Sequence, residues 1–146
     1  MLKLKLKKED LIEIIHWGNP KYVEIACERI LKRNPDRMIY WDMVQCCVGS
    51  SRLDEYRELA SKKLFQNPSN YELEHIVCHG PEKCVAIAYN RLMKRKYDST
   101  TLRQIIFHAP EIYKIKALKR LLKEYPVQTG YRELTINRLL HKYKLN

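Results

Sequence analysis

ELEHIVCHGPEKCVAIAYNRLMKRKY, residues 72–97, decides how the chain is read. Apolar residues recur at helical spacing on both sides of Gly80–Pro81: Leu73, Ile76 and Val77 before it, Ala88, Leu92 and Met93 after it. Spacing of three and four residues lays one apolar stripe along a helix. A short Gly-Pro break between two such runs makes a helical hairpin, and proline suits the opening turn of the second helix, where its missing N–H is not needed.

The same plan recurs in DLIEIIHWGNPKYVEIACERILKRNP (10–35), DMVQCCVGSSRLDEYRELASKKLFQNP (42–68) and TLRQIIFHAPEIYKIKALKRLLKEYP (101–126). Each unit opens on an apolar residue: Leu11, Met43, Leu73, Leu102. An apolar pair follows: Ile14–Ile15, Cys46–Cys47, Ile76–Val77, Ile105–Ile106. Turns then fall at Gly18–Asn19–Pro20, Gly49–Ser50–Ser51, Gly80–Pro81 and Ala109–Pro110. The second run carries a small residue (Ala26, Ala60, Ala88, Ala117), then a bulky pair (Ile30–Leu31, Leu64–Phe65, Leu92–Met93, Leu121–Leu122). Pro35, Pro68 and Pro126 close three units, with Tyr97 in the third. The alanines are 34, 28 and 29 residues apart, and the long interval is read as two extra residues in the second turn and three in the first linker.

A fixed period of this size is the signature of a repeat architecture, because one hairpin cannot bury its apolar face alone and stacked neighbours can. The fold class that follows is all-α: an α-solenoid of about four stacked helical hairpins plus a C-terminal capping helix, one domain over residues 1–146. Residues 131–145 supply the cap, with Thr135 in the alanine place and Leu139–Leu140 as the bulky pair. Ser51 with Asp54, and Ser69 with Glu72, are read as helix-start capping pairs. The alternating Leu–Lys stretch at the start is left open between a helical turn, an extended arm and frayed chain, with fraying preferred.

Composition sets the frame. A chain of 146 residues buries a core without disulfides or metal. Only 4 glycines argue against a turn-rich sandwich or barrel. Five cysteines, two of them adjacent, show no disulfide-framework spacing. MLKLKLKKED has no apolar core of a secretory leader, and no stretch reaches the ~20 apolar residues of a membrane span. A reducing, cytoplasmic setting is therefore expected. The net charge of +11 points to polyanionic partners, an acidic protein surface or nucleic acid.

The pattern D/E-L-x-x-I-I…P…A-x-x-x-L-L-x-x-x-P resembles the helical-hairpin repeats of the HEAT-like and leucine-rich-repeat-variant families over roughly residues 10–140. The resemblance implies a right-handed superhelical stack with a concave partner-binding surface, and it brings no catalytic site. Leucine-rich-repeat-variant proteins can carry a cysteine cluster ahead of their repeats; no cysteine precedes Cys27 here, so no iron–sulfur cluster and no other cofactor is implied. The alkylpurine glycosylase branch of HEAT-like folds contributes no site residues that map onto this chain.

Two groups of residues invite a chemical reading. His75, Cys78, His79 and Cys84 have the residue types of a zinc site. The repeat alignment reads them otherwise: Cys78 semi-buried, Cys84 in a tyrosine packing position, His75 in a solvent position. Cys46–Cys47 is likewise read as core packing, and His16, His79 and His108 as a short ridge near the hairpin turns.

The second group is basic. Arg29, Lys63, Arg91 and Arg120 stand three residues after each alanine, Arg138 holds that place in the cap, and Lys32, Lys94 and Lys123 follow a turn later. If the second helices line the concave face, as the resemblance implies, these residues form a ladder that can contact phosphates or carboxylates. Complementing the helix dipole is the competing use. The expected function is non-enzymatic: a scaffold docking a partner protein through that basic face, or, alternatively, binding nucleic acid without sequence readout. No small-molecule substrate is evident. On this reading, replacing Arg91 and Arg120 by Glu abolishes binding and leaves the melting temperature unchanged.

Overall fold

The computed structural model describes residues 5–125 and 131–145, without the side chains of 131–134. The described residues are all-helical: α1 (Lys8–Trp17), α2 (Pro20–Leu31), α3 (Arg37–Cys46), α4 (Ser51–Leu64), α5 (Asn70–His79), α6 (Glu82–Met93), α7 (Ser99–His108), α8 (Glu111–Glu124) and α9 (Tyr131–Lys142). None of these helices is long and apolar enough to cross a membrane. Helices α1, α3, α5 and α7 each pack on the even helix that follows. Neighbouring pairs meet through α1–α3, α3–α5 and α5–α7, and through α2–α4 and α4–α6.

The first helices of the four pairs are all 10 residues long. The starts of α3, α5 and α7 are capped by short polar side chains, which satisfy amide groups that a helix leaves unpaired at its first turn. Asp36 accepts from Ile39 N, Ser69 from Glu72 N and Asp98 from Thr101 N, and the Glu72 carboxylate reaches back to Ser69 N. The Ser69–Glu72 pair is thus the capping box expected from sequence. In α4 the cap is Ser50, whose Oγ accepts from Leu53 N, and Ser51 is already the first helical residue. Pro20 opens α2 as expected, whereas Pro81 and Pro110 sit one residue earlier, as the N-caps of α6 and α8.

The second pair corrects the register read from sequence. The amide closing each first helix bonds to Ile14 O, Met43 O, Ile76 O and Ile105 O, donated by Gly18, Cys47, Gly80 and Ala109. Met43–Val44, both buried, therefore match Ile14–Ile15, and Cys46–Cys47 lie at and just past the helix end. The linkers 32–36, 65–69 and 94–98 are all five residues long, so the first holds no surplus. The turn 47–50 does carry two extra residues relative to 18–19, and the other three extend the start of α4, which runs 14 residues against 12 in α2 and α6. Gly49 permits this longer turn: its φ of +112° suits glycine, and Pro20 lies 3.0 Å from where a Cβ would stand.

The stops of α2 and α4 also differ from expectation. Asn34 and Asn67 adopt φ of 48° and 54° just ahead of Pro35 and Pro68. The left-handed asparagine turns the chain after the helix has ended, and the proline prevents its resumption. Pro126 lies outside the described residues. Leu6 packs against the core, so that part of the leading stretch is not frayed; residues 1–4 lie outside the described residues.

Alanines 26, 60, 88 and 117 are buried, as are Ile30, Leu64, Leu92 and Leu121, the first member of each bulky pair. The second members, Leu31, Phe65, Met93 and Leu122, pack half-exposed against them. Ile136 and Leu140 of α9 are buried too. Ala88 has no exposed surface, and a carboxylate there would be desolvated without a partner. Ala88→Glu is expected to cost more than about 3 kcal/mol or to prevent folding, read by urea unfolding followed by circular dichroism.

Candidate functional site

The basic residues separate into two groups with different surroundings. Arg91 Nη1 donates to Phe65 O at 3.1 Å, and its guanidinium lies 4.9 Å from the Phe65 ring centre. Arg120 Nη1 donates to Tyr97 Oη at 2.5 Å, reaches Met93 O at 3.5 Å, and pairs with Glu124 at 3.7 Å. Phe65 and Met93 belong to the ends of α4 and α6, so each arginine reaches back onto the preceding hairpin. The carbonyl groups there have no partner within their own helix, and a charged donor suits them.

Other arginines repeat the device. Arg37, the first residue of α3, donates to Leu64 O at 2.8 Å and Gln66 O at 3.0 Å while pairing with Glu72 at 2.7 Å. Asn70, the first residue of α5, donates to Lys96 O at 3.0 Å. Arg95 bonds Pro68 O at 2.6 Å. Arg57 bonds Val44 O at 3.1 Å and also donates to His79 O, joining the ends of α3 and α5. Arg37 and Arg57 escaped the sequence reading because a repeat alignment shows recurrence and not what a long side chain touches.

The lysines behave differently. Lys32 and Lys94 are the C-caps of α2 and α6, and Lys63 and Lys123 lie in the last turns of α4 and α8. All four are exposed. Lys32 pairs with Glu28 of its own helix at 3.6 Å; Lys63, Lys94 and Lys123 form no ion pair among the described residues. Arg29 is half-buried and interacts within the chain, and Arg138 is exposed on α9. The four lysines thus lie at second-helix ends, where only Lys32 is in an ion pair among the described residues, while Arg91 and Arg120 are engaged with the preceding hairpin.

A second cluster runs across the first helices. His16 pairs with Asp42 at 3.2 Å. Trp41 stacks on His75 at 3.8 Å between ring centres, His79 follows at 4.9 Å and His108 at 6.4 Å. Together with Tyr71, Glu74 and Cys78 they line a cleft of about 270 Å³. Of the ridge expected of His16, His79 and His108, the rings of His79 and His108 lie 6.4 Å apart, whereas His16 pairs with Asp42. His75, read as a solvent position, is only 6% exposed because the Trp41 ring covers it and its Nε2–H donates to Trp41 O at 3.0 Å. Trp41 and Tyr71 carry no repeat signal, since their places are filled by Ile12 and Glu9 in α1.

Burial, with lesser repulsion from His79, holds the His75 pKa down to about 4, against the raising effects of the Trp41 carbonyl and Asp42. Burial and the neighbouring His108 also lower His79. Burial, aided by Glu74, pushes the Cys78 thiol up to about 12, so it stays protonated and donates weakly to Gln104 O at 3.8 Å. An un-ionised thiol is a poor nucleophile. Among the described residues no group of three or more His, Cys, Asp or Glu side chains is arranged to hold a metal ion. Compared with known proteins, the chain matches no family model, no curated protein and no solved structure.

Two expectations follow. Changing Arg91 and Arg120 to Glu, read from sequence as neutral to stability, should instead cost about 1 kcal/mol for each carbonyl bond lost and lower the melting temperature in calorimetry. His75 is neutral in the folded chain down to about pH 4 and takes a proton near 6.5 when unfolded. Between those values the unfolded chain binds more protons, so stability present above pH 6.5 is lost as pH falls, by up to about 3 kcal/mol. Urea midpoints at pH 7.5 and 5 should differ strongly in the native chain and much less in His75→Gln, the remainder reflecting His79.

Proposed function

We propose that the chain is a non-enzymatic binding module, an α-solenoid of four hairpins with a helical cap, of the HEAT-like kind. Its lysine-rich edge docks the acidic surface of a partner protein. The observation that carries this reading is the division of the cations. Arginines at the hairpin junctions are spent on backbone carbonyls, whereas Lys63, Lys94 and Lys123 stand exposed and unpaired among the described residues, one on each of three successive second helices. The row follows the edge formed by the second-helix ends rather than the middle of a helix face. Lys94 and Lys123 hold one repeat place and Lys63 a place three residues earlier, and unpaired cations grouped at helix ends attract an extended polyanion more than isolated surface charges do.

Fluorescence anisotropy with a labelled polyglutamate peptide, and with short single- and double-stranded DNA and RNA at about 50 and 200 mM salt, tests the proposal. The peptide should bind more tightly than any oligonucleotide. The triple change Lys63→Glu, Lys94→Glu and Lys123→Glu should abolish that binding with the melting temperature nearly unchanged. Tight, salt-steep oligonucleotide binding would transfer the edge to nucleic acid, and no binding of either probe would leave the lysines as dipole complement and solubilising charge.

A further inference from the structure

Cys27 and Cys47 are both fully buried, and their Sγ atoms lie 3.2 Å apart. Cys27 belongs to α2 in the first hairpin, and Cys47 caps the end of α3 in the second. Flanking contacts hold the 47–50 turn onto α2: Ser50 Oγ donates to Glu24 Oε1 at 2.6 Å, and Gly49 closes against Pro20. This turn carries two more residues than its counterparts, and its first residue, Cys47, holds the place of Gly18, Gly80 and Ala109. A covalent S–S bond is about 2.05 Å long, so closure needs the two sulfurs to approach by about 1 Å.

From this placement we infer that Cys27 and Cys47 are the site of an intramolecular disulfide that joins the first hairpin to the second when a low-molecular-weight disulfide is present. One cysteine loses its proton and attacks a sulfur of the small disulfide, forming a mixed disulfide and releasing one small thiolate. The second cysteine, also deprotonated, attacks the protein sulfur of that mixed disulfide, forming the Cys27–Cys47 bond and releasing the second thiolate. The two protons pass to the released thiols, which also carry the two electrons. Burial makes the reaction dependent on transient opening of the 47–50 turn, so mild urea accelerates it. The bond restricts how α3 can swing against α2 and stabilises the chain by limiting its unfolded states. Half-buried Cys46, next in sequence, and Cys78 and Cys84 in the third hairpin are not part of the pair.

The test treats the full chain with oxidised glutathione in low urea, alkylates under denaturing conditions, and maps the peptides by mass. The expected result is two of the five cysteines protected from alkylation, no retained glutathione, and one cross-linked peptide joining Cys27 to Cys47. The melting temperature should rise by several degrees and return with dithiothreitol. Cys46→Ala should keep the cross-link and Cys27→Ala should lose it. Five alkylated cysteines, a persistent glutathione adduct, or a cross-link through Cys46, Cys78 or Cys84 would overturn the inference.

Discussion

Backbone carbonyls at the end of a helix have no acceptor role inside that helix, and here those ends fall where one hairpin meets the next. The ends of α4 and α6 receive guanidinium groups from Arg37, Arg91 and Arg120, and the ends of α3 and α5 share Arg57. Each bond crosses between elements that the apolar contacts alone would let slide. Burial of Ala88, Leu92 and their equivalents supplies the bulk of the stabilisation, since apolar area removed from water is the dominant favourable term. The guanidinium bonds add direction: they set where along its length one helix meets its neighbour.

That use of arginine changes the meaning of the chain's charge. A net charge of +11 would attract polyanions over the whole surface if every cation faced water. Carbonyl bonds occupy the junction arginines, while Lys63, Lys94 and Lys123 at the second-helix ends stay exposed with no ion pair among the described residues. The first-helix side offers a different chemistry: the neutral His75 imidazole stacked on Trp41, a protonated Cys78 thiol and the exposed rings of Trp17 and Tyr71.

Much of the fold was legible in the residues because helix spacing, turn residues and small-residue positions recur at a common period. The buried alanines and bulky pairs lie in the core as their pattern implies, and Ser69–Glu72 forms its capping box. The second hairpin misled because Cys46–Cys47 imitates an apolar pair three residues after the true one, Met43–Val44, while the surplus of its α4 start hid the slip. His75 misled for a different reason: its burial depends on Trp41 in the neighbouring helix, and a tertiary cover leaves no trace in a repeat alignment. The basic ladder was visible as a recurrence. Which rungs were free was not, since Lys63 and Arg91 hold the same repeat place and only the longer, forked side chain of Arg91 reaches a carbonyl.

The most direct measurement of the central claim is nitrogen-15 NMR of the arginine side chains, reading hydrogen exchange at Nε and rotation about the guanidinium bonds. Arg37 and Arg57, each bonded through Nε as well as its terminal nitrogens, should show slowed exchange and restricted rotation, with Arg91, Arg95 and Arg120 restricted in rotation. Exposed Arg33 and Arg138 should behave as free side chains. Uniformly fast exchange and rotation at all of these residues would mean that the guanidiniums do not hold the hairpins together, and would return the arginines to the solvent-facing ladder.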